Sequence, residues 1–282
     1  MSRFARSLGA STLAAAILAV GALPALARSP SVSTTGNDIS WPQCKGSYPA
    51  GQAFGIVGVN GGVANTLNPC LASELTWALS SSAASAPGVL PKAALWVNTA
   101  DPGAVVPVVA DWPTDNLDPS GASEGSGTPN ADPYGTCTGA NDQACAWQYG
   151  WDRAIQDMRW ASAAASLPAT TPWWLDVETG NTWETGSSGL ANNVADLEGM
   201  VAAFTWVGKA TTVGIYSTST QWSQIVGGLL PPTSALRGLP DWIPGARTLS
   251  GAQSTCRLAG FTGPVRITQW FGKPFDGDYA CP

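Results

Sequence analysis

The chain has 282 residues, with 13 Lys and Arg, 19 Asp and Glu, six Cys, 14 Trp and no His. Without His there is no Ser-His-Asp or Cys-His nucleophile and no His-ligated metal, so acid–base chemistry falls to carboxylates, Tyr, Lys or Cys. A composition 44% hydrophobic and only 11% charged describes a folded chain rather than a solvated tail, and a net charge of −6 without a basic cluster argues against nucleic acid as a partner.

The N-terminus reads as a secretory signal peptide over residues 1–27. Arg3 and Arg6 form a positive n-region, an apolar run extends from Leu13 to Leu26, and Ala25-Leu26-Ala27 is a small-residue cleavage site. The run is short for a membrane anchor, and polar Ser and Thr follow it directly. The expected product is a secreted, soluble monomer with no membrane association. Residues 28–36 form a short polar segment, and residues 37–282 form one domain. In an exported chain the six cysteines read as disulfides, and proximity favours Cys44–Cys70, Cys137–Cys145 and Cys256–Cys281. No C-x-x-C supports a structural zinc, and no metal or cofactor is expected, although clustered carboxylates retain the capacity to hold Ca²⁺.

Short apolar runs mark candidate buried strands at Ala53–Asn60, Ala93–Asn98, Trp173–Val177, Thr212–Tyr216, Pro240–Ile243 and Val265–Trp270. Between them, Leu71–Leu79, Trp147–Ala165 and Val194–Val207 carry apolar residues at three- and four-residue spacings. Strands alternating with helices predict a parallel α/β architecture, of TIM-type (β/α) barrel size. No dinucleotide or Walker glycine motif opens a helix. Asp111–Cys145 is rich in Asp, Pro, Gly, Ser and Thr and reads as a long βα insertion; a linker between two domains is the competing reading.

The most informative segment is Pro172-Trp-Trp-Leu-Asp-Val-Glu178, a buried strand running into Thr179-Gly180-Asn181. Strand alternation places Trp174, Asp176 and Glu178 on one face and Leu175 and Val177 on the other. Two carboxylates on one buried face repel each other and are costly to desolvate, so at least one should have a raised pKa, as a general acid requires. Asp38-Ile39-Ser40 and the Phe275-Asp-Gly-Asp278 run are weaker signals; the latter also suits a surface turn.

Together these segments resemble glycoside hydrolase family 25, the lysozyme or N-acetylmuramidase family of (β/α) barrels. Asp38-Ile39-Ser40 resembles that family's first strand and Phe54-Gly-Ile-Val-Gly-Val-Asn60 its second. Leu175-Asp-Val-Glu178 resembles the fourth, Gly214-Ile-Tyr-Ser217 the fifth, Asp241-Trp-Ile243 the sixth, and Thr268-Gln-Trp270 with Asp276-Gly-Asp278 the last strand and its turn. The resemblance implies a hydrolase of a β-linked, N-acetylated polysaccharide such as peptidoglycan. Glu178 would be the general acid, Asp176 would orient the N-acetyl group or steady the oxocarbenium-like centre, and Asp38 would complete the catalytic set. Asp276 and Asp278 would extend the acidic floor, Tyr216 and Gln269 would hydrogen-bond sugar, and Trp174, Trp242 and Trp270 would stack on it. The second strand departs, ending in Val59-Asn60-Gly61-Gly62 where the family carries Lys and Glu; Asn60 is the polar residue left at that position. The third strand ends in Leu95-Trp-Val-Asn98 in place of a Tyr-His-Phe-like run. These changes imply a rebuilt groove, and a non-catalytic carbohydrate-binding protein on the same scaffold is the alternative.

Overall fold

The computed structural model describes residues 35–82, 91–103, 111–117, 132–228 and 230–282; the signal-peptide reading lies outside them. Eight strands close into a barrel in chain order: β1 (Thr35–Ile39), β2 (Gly55–Gly58), β3 (Ala93–Asn98), β4 (Trp173–Asp176), β5 (Val213–Tyr216), β6 (Asp241–Ala246), β7 (Val265–Trp270) and β8 (Gly277–Ala280). Helices α1 (Leu71–Leu79), α2 (Gln143–Ala164), α3 (Gly186–Trp206), α4 (Ser219–Val226) and α5 (Leu249–Thr255) follow β2 to β6 in turn.

The β/α alternation is incomplete at both ends. The β1–β2 connection holds a 3₁₀ turn at Trp41–Gln43 and no α-helix. β8 runs antiparallel to both β7 and β1, because the six-residue link between Trp270 and Gly277 is too short for the crossover that a parallel strand needs. The Asp276-Gly-Asp278 run is therefore a turn leading into the strand that closes the barrel, rather than a surface turn.

Side chains sort by strand parity. Phe54, Ile56, Ala94, Trp174, Trp242, Ile267 and Ala280 fill the barrel interior. Val57, Leu95, Val97, Leu175, Val177 and Ile215 face outward and pack with Leu75, Trp147, Trp151, Leu197 and Phe204 of the helices. The two longest helices cross at glycines: a methyl at Gly150 would overlap the Asp196 carbonyl, and one at Gly199 would overlap that of Trp147. Inside the barrel Gly58 does similar work, since a Cβ there would strike the Trp96 ring.

The three disulfides are Cys44–Cys70, Cys137–Cys145 and Cys256–Cys281, with Cα separations of 5.5, 4.5 and 5.6 Å. The first ties the β1–β2 connection to the start of α1. The second joins the end of the insertion to the first turn of α2, whose N-terminus is capped by the Asp142 carboxylate accepting from Cys145 N–H at 3.0 Å. The strands on either side of the insertion belong to one sheet, so it is an elaboration of the β3–α2 connection. Among the described residues no helix is long and apolar enough to cross a membrane.

Candidate active site

The C-terminal ends of the parallel strands converge on a cavity of about 90 Å³ lined by Asp38, Trp96, Asp176, Glu178, Tyr216 and Trp242. Each arrives by the same local rule, an inward-facing strand position: toward the end of β1, β3, β4 or β5, or at the start of β6 for Trp242, with Glu178 two residues past Asp176 on the same face. Barrel strands present their chemistry at this end.

Beneath the cavity lies a hydrogen-bonded polar floor. Gln269 Nε2 donates to Asp38 Oδ2 at 2.9 Å, Tyr216 Oη donates to Gln269 Oε1 at 3.1 Å, and Trp242 Nε1 donates to Asp278 Oδ1 at 3.0 Å. Asp38 and Asp278 also interact directly through their side chains. Burial raises both: Asp38 to about 6, against the hydrogen bonds from its neighbours, and Asp278 well above the usual carboxylate range, through burial and then the Asp38 charge.

The carboxylates that sequence places on one face of β4 differ in surroundings. Asp176 is 7% exposed, and its Oδ1 has no hydrogen-bond partner. Burial, then the charges of Glu178 and Asp38, push its pKa well above 3.8. The raised carboxyl expected from the Asp-Val-Glu pattern is thus Asp176. Glu178 is half-buried, and its Oε1 accepts from Gln221 Nε2 at 3.2 Å. The backbone between them is fixed by Thr99 Oγ1 donating to Asp176 O at 2.6 Å, Ser217 Oγ to Val177 O at 2.7 Å and Trp183 Nε1 to Glu178 O at 2.9 Å.

Asp38, Asp176, Glu178, Tyr216 and Trp242 meet at the cavity, with Gln269 and Asp278 directly beneath. Four other positions serve the scaffold. Asn60 is fully buried, and its amide is consumed: Nδ2 donates to Ala64 O and Asp157 Oδ1, and Oδ1 accepts from Asn98 N–H at 2.7 Å. Trp174 has no exposed surface and sits edge-on to Trp242 in the barrel core, so its ring has no face for a sugar. Trp270 alternates with inward-facing Gln269 and covers Gly277 on the outer surface. Asp276 caps its own turn, accepting from Gly272 N–H at 3.1 Å, and reaches the site only as a charge near Asp38 and Asp278.

Two residues escaped the sequence reading. Trp96 lines the cavity with a buried indole N–H that has no acceptor; its even spacing from Asn98 on the expected third strand was the available signal. Gln221, in the first turn of α4, carries no motif at all.

Among the described residues, one group of three Cys, Asp or Glu lies close enough to share an ion, Cys44, Cys70 and Glu74. Its two sulfurs are bonded to each other and offer no thiolate. Comparison of the chain with protein-family models, curated proteins and solved structures found no match.

Proposed function

We propose that this chain is a secreted glycoside hydrolase acting on a β-linked, N-acetylated polysaccharide such as peptidoglycan. One observation carries the reading: Asp176 and Trp96, which each hold a buried polar atom without a partner (Oδ1 and the indole N–H), line one small cavity together with Glu178. Buried polar groups are ordinarily paired. An acetamido group offers the complement, an N–H for Asp176 and a carbonyl oxygen for Trp96. The three disulfides support an oxidising, extracytoplasmic setting.

The chemistry follows from coupling between the carboxyls. An amide N–H bound to Asp176 favours its ionised form. Glu178, which shares the cavity with Asp176, is the acid that holds the proton to be transferred. Glu178 then donates that proton to the glycosidic oxygen, the C–O bond breaks toward the leaving sugar, and Asp176 and Asp38 meet the positive charge developing at the anomeric carbon. Water then forms the new C–O bond at the anomeric carbon and gives its proton to the Glu178 carboxylate, which restores the acid.

The test is release of reducing ends from peptidoglycan or chitin oligomers, and from the same polymers after chemical de-N-acetylation. Cleavage of the acetylated forms alone supports the proposal. Binding of acetylated glycan without cleavage replaces it with the carbohydrate-binding alternative, and absence of both refutes it.

A further inference from the structure

We infer that Gln221 is a positioning residue for Glu178: its amide decides which carboxyl oxygen carries the transferable proton. The inference rests on Glu178 being the acid. Three contacts orient the amide. Gln221 Oε1 accepts from Thr179 N–H at 2.7 Å and from Thr179 Oγ1 at 3.0 Å, and Gln221 Nε2 lies 3.2 Å from Glu178 Oε1. A backbone N–H can only donate, so the oxygen end of the amide must face Thr179 and the NH₂ end must face Glu178. The side chain starts from a fixed backbone, because Gln221 N–H donates to the capping hydroxyl of Thr218 at 3.2 Å.

An NH₂ group has nothing to accept with. Glu178 Oε1 is therefore held as an acceptor, and a proton on this carboxyl sits on Oε2. The same bond strengthens when the carboxyl ionises, so Gln221 stabilises the charge left on Glu178 as its proton departs. The other groups around Glu178 act in the opposite sense. Asp176 on β4 and Asp38 on β1 share its cavity and carry or can develop negative charge, and Tyr216 on β5 faces it without a cationic group. Gln221 is the one described side chain that donates a hydrogen bond to this carboxyl.

Gln221→Glu and Gln221→Met separate positioning from loop anchoring. The Glu variant keeps acceptors for both Thr179 donors but places a negative oxygen against Glu178; the Met variant keeps the length and loses both contacts. Two readouts apply to the full chain: the pH titration of the Glu178 side-chain carboxyl carbon by NMR, assigned with Glu178→Gln, and the alkaline limb of the kcat/KM profile on an N-acetylated oligosaccharide. The expected result is an upward move of the titration midpoint in both variants, by about 0.5–1 pH unit for Met and more for Glu. The alkaline limb should follow, and kcat should fall more than KM rises. An unchanged midpoint in both variants, whatever happens to melting temperature, overturns the inference and leaves Gln221 as an anchor for Thr179. If the wild type cleaves nothing, the titration still decides the role of Gln221, while the hydrolase proposal fails on its own assay.

Discussion

Trp96→Phe isolates the proposed acetamido contact. Phe keeps an aromatic ring over Gly58, which has no Cβ because the Trp96 ring occupies that space, and removes an indole N–H that has no partner in the free protein. With acetylated glycan bound, the variant leaves a buried carbonyl oxygen unpaired, at a cost of about 1–3 kcal/mol. That corresponds to roughly 5- to 150-fold in affinity. The contact exists in the bound ground state as well as the transition state, so the loss should fall on KM more than on kcat. The assay is calorimetric Kd for an N-acetylated oligosaccharide and for its de-N-acetylated counterpart, in wild type and variant. The account predicts that the acetylated ligand alone weakens, so that the ratio of the two constants shrinks by that factor. Equal weakening of both ligands, or of neither, would refute the assignment of Trp96 to the acetamide.

Further expectations bear on the scaffold. Gly199→Ala should lower the melting temperature although Ala is favoured over Gly in a helix by about 1 kcal/mol. The added methyl meets the Trp147 backbone, which cannot rotate away, and such overpacking costs about 1–3 kcal/mol; a raised melting temperature would show that α2 and α3 do not cross there. Glu74, buried and held by Asn68 Nδ2 at 2.6 Å, is raised from 4.5 to about 7 by burial. A raised carboxyl contributes stability that is fully present below about pH 4.5 and is lost as pH rises through 7. Within that window it removes up to about 1.4 kcal/mol per pH unit. Glu74→Gln should therefore flatten the decline in melting temperature between pH 5 and 8, and an unchanged slope would count against it. Activity should persist in EDTA, since the chain has no His and its cysteines are paired; loss restored by a divalent ion would contradict this.

Much of the barrel was legible because burial writes itself into short segments. The expected β3, β7 and α1 have the bounds seen in the structure, each carrying apolar residues on its buried face and bounded by turn residues. α5 was not legible: Leu249–Thr255 is small and polar, with only Ala252 buried, and its N-terminus depends on the Thr248 hydroxyl. β8 is four residues with a Gly and an Asp, and it is a strand only because β7 and β1 pair with it.

The site divides in the same way. Strand parity put Asp176 and Glu178 on one face, because alternation is local. It could not show that Asp157, 97 residues away, takes the Asn60 amide. Nor could it show that of two inward Trp residues, Trp174 packs into the core while Trp96 opens onto the cavity. Those outcomes depend on neighbours supplied by other strands and helices.

Glu178 as the proton donor stands or falls on the turnover of Glu178→Gln. The substitution keeps the side chain's length and its reach to Gln221 but has no proton to transfer. Wild type, Glu178→Gln and Val177→Ala should be compared for reducing-end release, glycan binding and melting temperature. The account predicts that Glu178→Gln loses roughly 10²- to 10⁴-fold in turnover while folding and binding persist. Val177, fully buried on the opposite face, should on truncation lose about 1–3 kcal/mol of stability and leave chemistry largely intact. Full turnover in Glu178→Gln would contradict the account.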